Sequence, residues 1–158
     1  MSQENVEKIM ALLEPFDDAE ITGIDWEGEA IREILERDYS PDIELRTLES
    51  GIGIGPSSFY KGWDGLIRYF REWFEPFSEY RMKWLDYVEA GERVLVPMKA
   101  SGVGSASGLR VEMELVLSFE LQDSLITRLD QYDTLEQALE AAGLRGVGAQ
   151  RKGPDGGE

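Results

Sequence analysis

At 158 residues and 17.8 kDa the chain has room for one ordinary domain, and 42% apolar residues with six Phe, six Tyr and four Trp supply a core. Sixteen basic against 32 acidic residues, net −16, repel phosphate backbones and anionic bilayers, so neither nucleic acid nor membrane is an expected partner. Cys and His are absent, which excludes disulfides, thiolate chemistry, the usual zinc ligands and every Ser-His-Asp mechanism.

The N-terminal MSQENVEKIM has no basic region ahead of an apolar stretch, and no apolar run reaches membrane-spanning length. A cytoplasmic protein is therefore expected. Ser2 is placed to cap a first helix whose Val6, Ile9, Met10 and Leu13 recur at helical spacing as far as Pro15. Asp17 to Glu27 is acidic and broken by Gly23; it reads as an irregular connection with Ile21, Ile24 and Trp26 tucked inward. A second helix is predicted near Glu29 to Arg37, with Ile31, Ile34 and Leu35 as its stripe and Glu33–Arg37 as an i,i+4 pair. Pro41 stops it, and Ile43, Leu45 and Thr47 alternate as a short strand. The acidic surplus is heaviest here: residues 1–50 hold 15 Asp and Glu against Lys8, Arg32, Arg37 and Arg46. Such a face serves solubility, with a basic docking partner as the alternative.

GIGIGPSS, residues 51–58, is Gly-rich but lacks G-x-G-x-x-G spacing and a following Lys-Ser/Thr, so turn chemistry fits it better than phosphate binding. Residues 62–77 carry the clearest periodicity. Trp63, Leu66, Ile67, Phe70, Trp73, Phe74 and Phe77 form a complete helical face opposite Asp64, Arg68, Arg71, Glu72 and Glu75. From residue 79 the period becomes two. Tyr80, Met82, Trp84, Asp86 and Val88 share one strand face, Ala90-Gly91-Glu92 turns, and Val94, Val96, Met98 and Ala100 follow, with Pro97 demanding an edge or a bulge. SGVGSASG, 101–108, reads as a flexible hairpin tip. Leu109 to Leu121 is a long alternating strand, Gln122-Asp123-Ser124 a turn, and Leu125 to Tyr132 a last strand. Asp133 with Glu136 suggests a capping box for a short helix closed by Gly143. The domain is expected to span 1–144, with 145–158 a disordered polar, Gly-rich tail. Helices first and a strand meander after predict an α+β domain with helices covering one side of a bent antiparallel sheet.

SQENVEKI at the start, SPDIELRT at 40–47, FYKGWDGLIRYFREWFEPF at 59–77, EAGERVLV at 89–96 and LITRLDQYDTLEQALEAAGL at 125–144 resemble the SnoaL-like group of the nuclear transport factor 2-like superfamily. The resemblance covers residues 1–144, with an insertion around Ala19 to Trp26. It implies a cone: a strongly bent antiparallel sheet wrapped on three helices around a pocket, with a short C-terminal helix, and a homodimer packed through the sheet. The family hosts isomerases, polyketide cyclases, epoxide hydrolases and dehydratases, so the fold alone leaves the function open.

At the positions where such relatives place catalytic groups, this chain aligns Leu45 with the isomerase base and Leu117 with the acid or His of the long strand. Gln131 stands where the cyclases have an acid. Ala100, Met98 and Gln131 stand at the three positions of the epoxide hydrolase constellation. Leu and Ala cannot move a proton, and Gln only orients through hydrogen bonds. The leading expectation is thus a binding domain for a small apolar or aromatic molecule, with no catalytic residue, metal or cofactor. Its pocket would be lined by Tyr60, Trp63, Tyr69, Trp73, Trp84, Met98, Met113, Leu115, Leu117 and Leu129, with Gln131 as the polar group. The alternative is an isomerase, cyclase or hydrolase whose base is Asp86, its pKa raised in the cavity and Tyr60 or Tyr69 as donor. Against it, Asp86 also fits a place beyond the pocket rim near Gly91, solvated or paired with an Arg.

Overall fold

The structure, a computed structural model, describes residues 2–21, 23–47, 58–143 and 150–151. Four helices and one mixed sheet build it. Helix α1, Ser2–Leu13, buries Val6, Ile9, Leu12 and Leu13, and the chain then makes a single 3-10 turn at Glu14–Phe16 with Pro15 inside it. Helix α2, Glu29–Asp38, buries Leu35 and packs Ile31 and Ile34 against the same core. Arg37, expected to pair with Glu33, instead turns its guanidinium onto Asp38, with Nε at 3.0 Å and Nη2 at 2.9 Å. Tyr39, extended at φ −120°, caps α2 and opens strand β1, Tyr39–Thr47, without any linker. Strand β2, Ser58–Lys61, leads into α3, Gly62–Phe74. The Gly-rich loop falls outside the described residues except for Ser58. The predicted helix over 62–77 ends at Phe74, since Pro76 has no amide to continue the ladder; Phe77 instead begins strand β3, Phe77–Trp84.

Strands β4 (Val88–Ala90), β5 (Arg93–Gly104), β6 (Arg110–Gln122) and β7 (Leu125–Tyr132) complete the main sheet, and β8 (Gln150–Arg151) pairs with β4. The order is β2-β1-β7-β6-β5-β4-β8, with β3 also on β5. All neighbours are antiparallel except β1 and β7, which run parallel, Leu45 beside Leu129 and Thr47 beside Gln131. Apart from Gln150–Arg151, the tail 145–158 is outside the described residues, and no helix among those described is long and apolar enough to cross a membrane.

Pro97 decides an unexpected break. The predicted strand runs from Tyr80 through Asp86 to Val88, but β5 pairs with β3 only up to Trp84–Met98 and with β4 from Val88–Leu95 onward. The Pro97 carbonyl, which accepts the Leu85 amide at 2.8 Å, points into the gap between them. Its ring nitrogen, on the same side in an antiparallel ladder, has no proton to give, so pairing lapses over 85–87. Asp86 thereby leaves the strand face it was expected to share with Trp84.

Two further boundaries move. β5 runs through Ser101–Gly104, paired with both β3 and β6, so the expected hairpin tip shrinks to 105–109 and Leu109 is two-thirds exposed. Helix α4, Leu135–Ala141, is capped one residue later than expected: Thr134 Oγ1 accepts the Gln137 amide at 3.1 Å, and Gln137 Oε1 accepts the Thr134 amide at 3.2 Å.

The β6–β7 hairpin turns through Asp123 (φ 53°) and Ser124 (φ 67°), both left-handed, the backbone that favours glycine in a two-residue connection. Ser124→Gly should stabilise the protein by about 1 kcal/mol. A higher urea midpoint at unchanged slope checks this; a lower midpoint refutes it.

The inner sheet face and helices α1, α2 and α3 enclose the main core around Ile9, Ile43, Leu45, Leu66, Phe119 and Ile126. Tyr80, Met98, Ala100, Met113 and Leu115 form a second cluster toward β3, with Trp73, Phe74 and Phe77 against it. On the outer face α4 covers Leu95, Val116 and Tyr132. Beside it Asp130, 3% exposed, takes Arg93 at 3.3 Å and Arg128 at 3.0 Å in an ion network.

Candidate functional site

Between the three long helices and the inner sheet face lies a cavity of about 130 Å³. Each helix supplies it from its apolar stripe: Leu12 and Leu13 from α1, Ile31, Ile34 and Leu35 from α2, Leu66, Ile67, Tyr69, Phe70 and Phe74 from α3. Tyr39, Met82, Trp84, Leu117, Phe119 and Leu129 come from the sheet. Phe16, Ile21, Ile24 and Trp26 close the remaining side.

That closing segment is irregular but well anchored along the edge of β3. The Asp18 amide donates to the Met82 carbonyl at 2.6 Å, the Ile21 amide to the Tyr80 carbonyl at 2.8 Å, and Arg81 Nη1 to the Asp18 carbonyl at 2.7 Å. Asp17 Oδ1 accepts the Trp84 amide at 3.0 Å. Trp26 stacks over Phe70 (5.7 Å between centroids, 17° between planes) and Phe74 (5.6 Å, 9°). Glu27 pairs with Arg71 at 3.2 Å just outside.

No wall residue carries a formal charge. The two phenols are Tyr39 and Tyr69. Burial pushes the Tyr69 hydroxyl well above the ordinary tyrosine range, helped by the neighbouring phenols of Tyr80, Tyr60 and Tyr39; burial, then the Asp38 charge, does the same for Tyr39. Both remain neutral donors. Tyr69 spends its proton on Gln131 Oε1 at 2.7 Å, a fully buried bond between α3 and β7. Trp84 Nε1 donates to the Leu13 carbonyl at 2.8 Å and ties the end of β3 to α1.

Of the residues expected to line a pocket, Tyr69, Trp84, Leu117 and Leu129 are walls of this cavity, and Gln131 stands behind Tyr69. Tyr60 packs edge-on to Tyr69, lies under the Arg68 guanidinium at 4.5 Å and donates to Glu72 Oε1 at 2.8 Å. Trp63 Nε1 donates to the Tyr39 carbonyl at 3.2 Å. Trp73 Nε1 donates to the Tyr80 hydroxyl at 2.6 Å, and Met98, Met113 and Leu115 are buried in that Tyr80 cluster. Asp86, between β3 and β4, is half-buried and its Oδ1 accepts the Tyr87 amide at 2.8 Å; it is not a wall of the cavity. Leu45, at the aligned isomerase position, lies in the main core against Tyr60 and Leu129.

Of the twenty wall residues, sixteen lie outside the set expected to line the pocket. Ile31, Ile34, Ile67, Phe70 and Phe74 carry helical periodicity, but periodicity reports only that a face is buried, and Tyr39, at the start of β1, carries no such signal. Among the described residues no group of three or more Asp or Glu side chains is placed to hold a metal ion.

Solved structures share this architecture. The chain matches TerC, crystallised with polyporic acid, at 22% identity and TM-score 0.61, over 88% of this chain and 98% of that one. It matches a protein of unknown function from Burkholderia pseudomallei K96243, described as nuclear transport factor 2-like, at 16% identity and TM-score 0.62, over 89% and 96%. A protein from Jannaschia sp. CCS1 described as a SnoaL-like polyketide cyclase matches at 17% identity and TM-score 0.63, over 92% and 94%. At such identities the likeness is one of fold. No functionally curated protein matches the chain. Residues 25–129, most of the chain and fifteen of the twenty cavity walls, match the SnoaL-like domain, so the protein belongs to the SnoaL-like domain family.

Proposed function

We propose that this protein binds a small, neutral, apolar molecule in the cavity between its helices and sheet. The observation that carries the reading is the wall itself: twenty residues, all aliphatic, aromatic or Met, none charged, around about 130 Å³. That volume is close to the roughly 150 Å³ of an apolar cavity known to take up benzene. A charged ligand would lose its hydration there without any counter-charge, so ions are disfavoured by several kcal/mol. Tyr69, Trp84, Leu117 and Leu129 would touch the ligand, and Gln131 would act through Tyr69. The reading makes the protein a carrier or sensor of its ligand, in keeping with walls that hold no group able to titrate near neutral pH.

Leu117→Phe tests it by filling the cavity with an added ring. Benzene at ten times its Kd should raise the melting temperature of the wild-type protein by roughly 3–6 °C, about 1.4 kcal/mol. The variant should melt no lower than wild type when unliganded and lose that rise. Leu129→Phe fills the cavity from the neighbouring strand and should behave alike. Failure of benzene to raise the wild-type melting point, or an equal rise in both filled variants, overturns the reading.

A further inference from the structure

Deepening that reading and resting on it, we infer that the cavity's ligand carries one hydrogen-bond acceptor, a carbonyl or ether oxygen, that receives the proton of the Tyr39 hydroxyl. Tyr39 is 6% exposed and is a wall of the cavity. Its backbone is committed, the carbonyl accepting Trp63 Nε1, but no described residue hydrogen-bonds its hydroxyl. The contrast with its neighbour is direct: Tyr69, the other phenol on the wall, is satisfied by Gln131 at 2.7 Å. Among the described residues no side-chain nitrogen or oxygen is both fully enclosed and unpaired, so the Tyr39 hydroxyl borders open space, and the cavity is the space that Tyr39 walls.

A hydroxyl that opens onto an apolar cavity and has no protein partner there is left with a donor to offer. Its burial keeps it neutral, so it offers a donor to an uncharged acceptor rather than a phenolate to a cation. The other polar wall groups do not compete. Trp84 has given its indole proton to the Leu13 carbonyl, and Trp26 is only half-buried. An apolar body surrounded by Leu, Ile and Phe, with a single oxygen directed at the mouth of β1, is the shape these groups leave. The cavity's size limits that body to about one six-membered ring.

Cyclohexanone and methylenecyclohexane differ only in a carbonyl oxygen against a methylene and serve as the probes. Their Kd values are measured by NMR titration on the full chain and on Tyr39→Phe. The wild-type protein should prefer the ketone, relative to the variant, by about fivefold or more, while the alkene binds both proteins alike. Infrared spectroscopy on the wild-type complex gives a reading independent of any substitution: the bound carbonyl stretch should fall below its value in hexane. Should Tyr39→Phe change both Kd values equally, or leave the ratio untouched with the stretch unshifted, the Tyr39 assignment is wrong while the apolar cavity reading stands. Should neither probe bind the wild-type protein, the cavity reading falls with it.

Discussion

Replacing Asp38 with asparagine is expected to cost about 2–3 kcal/mol at neutral pH and to cost progressively less as the solution is acidified. Asp38 ends α2 with 4% of its surface exposed. Lys8 of α1 reaches its Oδ1 at 3.0 Å, and Arg37 brackets its Oδ2. The carboxylate is thus the joint between two helices that both wall the cavity. Burial by itself would raise its pKa, but the hydrogen bonds from Arg37 and Lys8 and their charges outweigh it and hold the carboxyl below the ordinary range. Asparagine keeps the shape and loses the charge. Both cations reach water, Arg37 more than Lys8, which keeps the cost at the lower end of what breaking a buried ion pair can exact.

The sign of the pH effect follows from that direction. A carboxyl more acidic in the folded than in the unfolded chain stabilises the fold fully above its unfolded pKa, near 3.9, and progressively less as pH falls through the folded value. The urea midpoints of wild type and Asp38→Asn should therefore be well separated at pH 7 and converge toward pH 3. A constant separation would mean that Asp38 matters through its shape and not its charge.

Gly102→Ala should be as damaging, by about 2–3 kcal/mol, for a reason of space. A Cβ on Gly102 would stand 2.7 Å from Phe77 Cδ1, 2.8 Å from the Glu79 carbonyl oxygen and 3.1 Å from Tyr80 Cδ1. The phenyl ring can shift, but the carbonyl is backbone of β3, so β3 and β5 must part where Tyr80, fully buried, anchors the second cluster. Ser101→Ala, on the next residue and facing outward, is the control and should melt within a degree or two of wild type. Comparable melting of Gly102→Ala and wild type would show that the strands can slide to admit a methyl group.

Both residues illustrate how much a sequence discloses. Asp38 was one acid among fifteen in the first fifty residues, and nothing in its neighbours distinguishes it from the exposed ones. It is singled out by Lys8 of α1, thirty residues away along the chain, which reaches its carboxylate. Gly102 looked like part of a loose Gly-Ser tip, because glycine's composition signal is the same in a turn and in a strand that another backbone approaches closely. Pro97 is legible as a disruption but the partner it disrupts is not, so alternation alone extends the strand to Asp86, two residues beyond its end at Trp84.

The sequence by itself determined the α+β class, since periodicity and caps need no partner to be read, and segments such as 59–77 and 125–144 carried the resemblance to the family. It also determined that the chain carries no Cys or His chemistry. Only the tertiary structure decided which apolar faces leave a space between them. Ile31, Ile67 and Phe70 share one kind of stripe with Ile9 and Val6, yet the first three wall a cavity and the last two fill the core. Burial is a property of each face, whereas a cavity is a mismatch among several, set by how three helices and a sheet of fixed curvature fail to close.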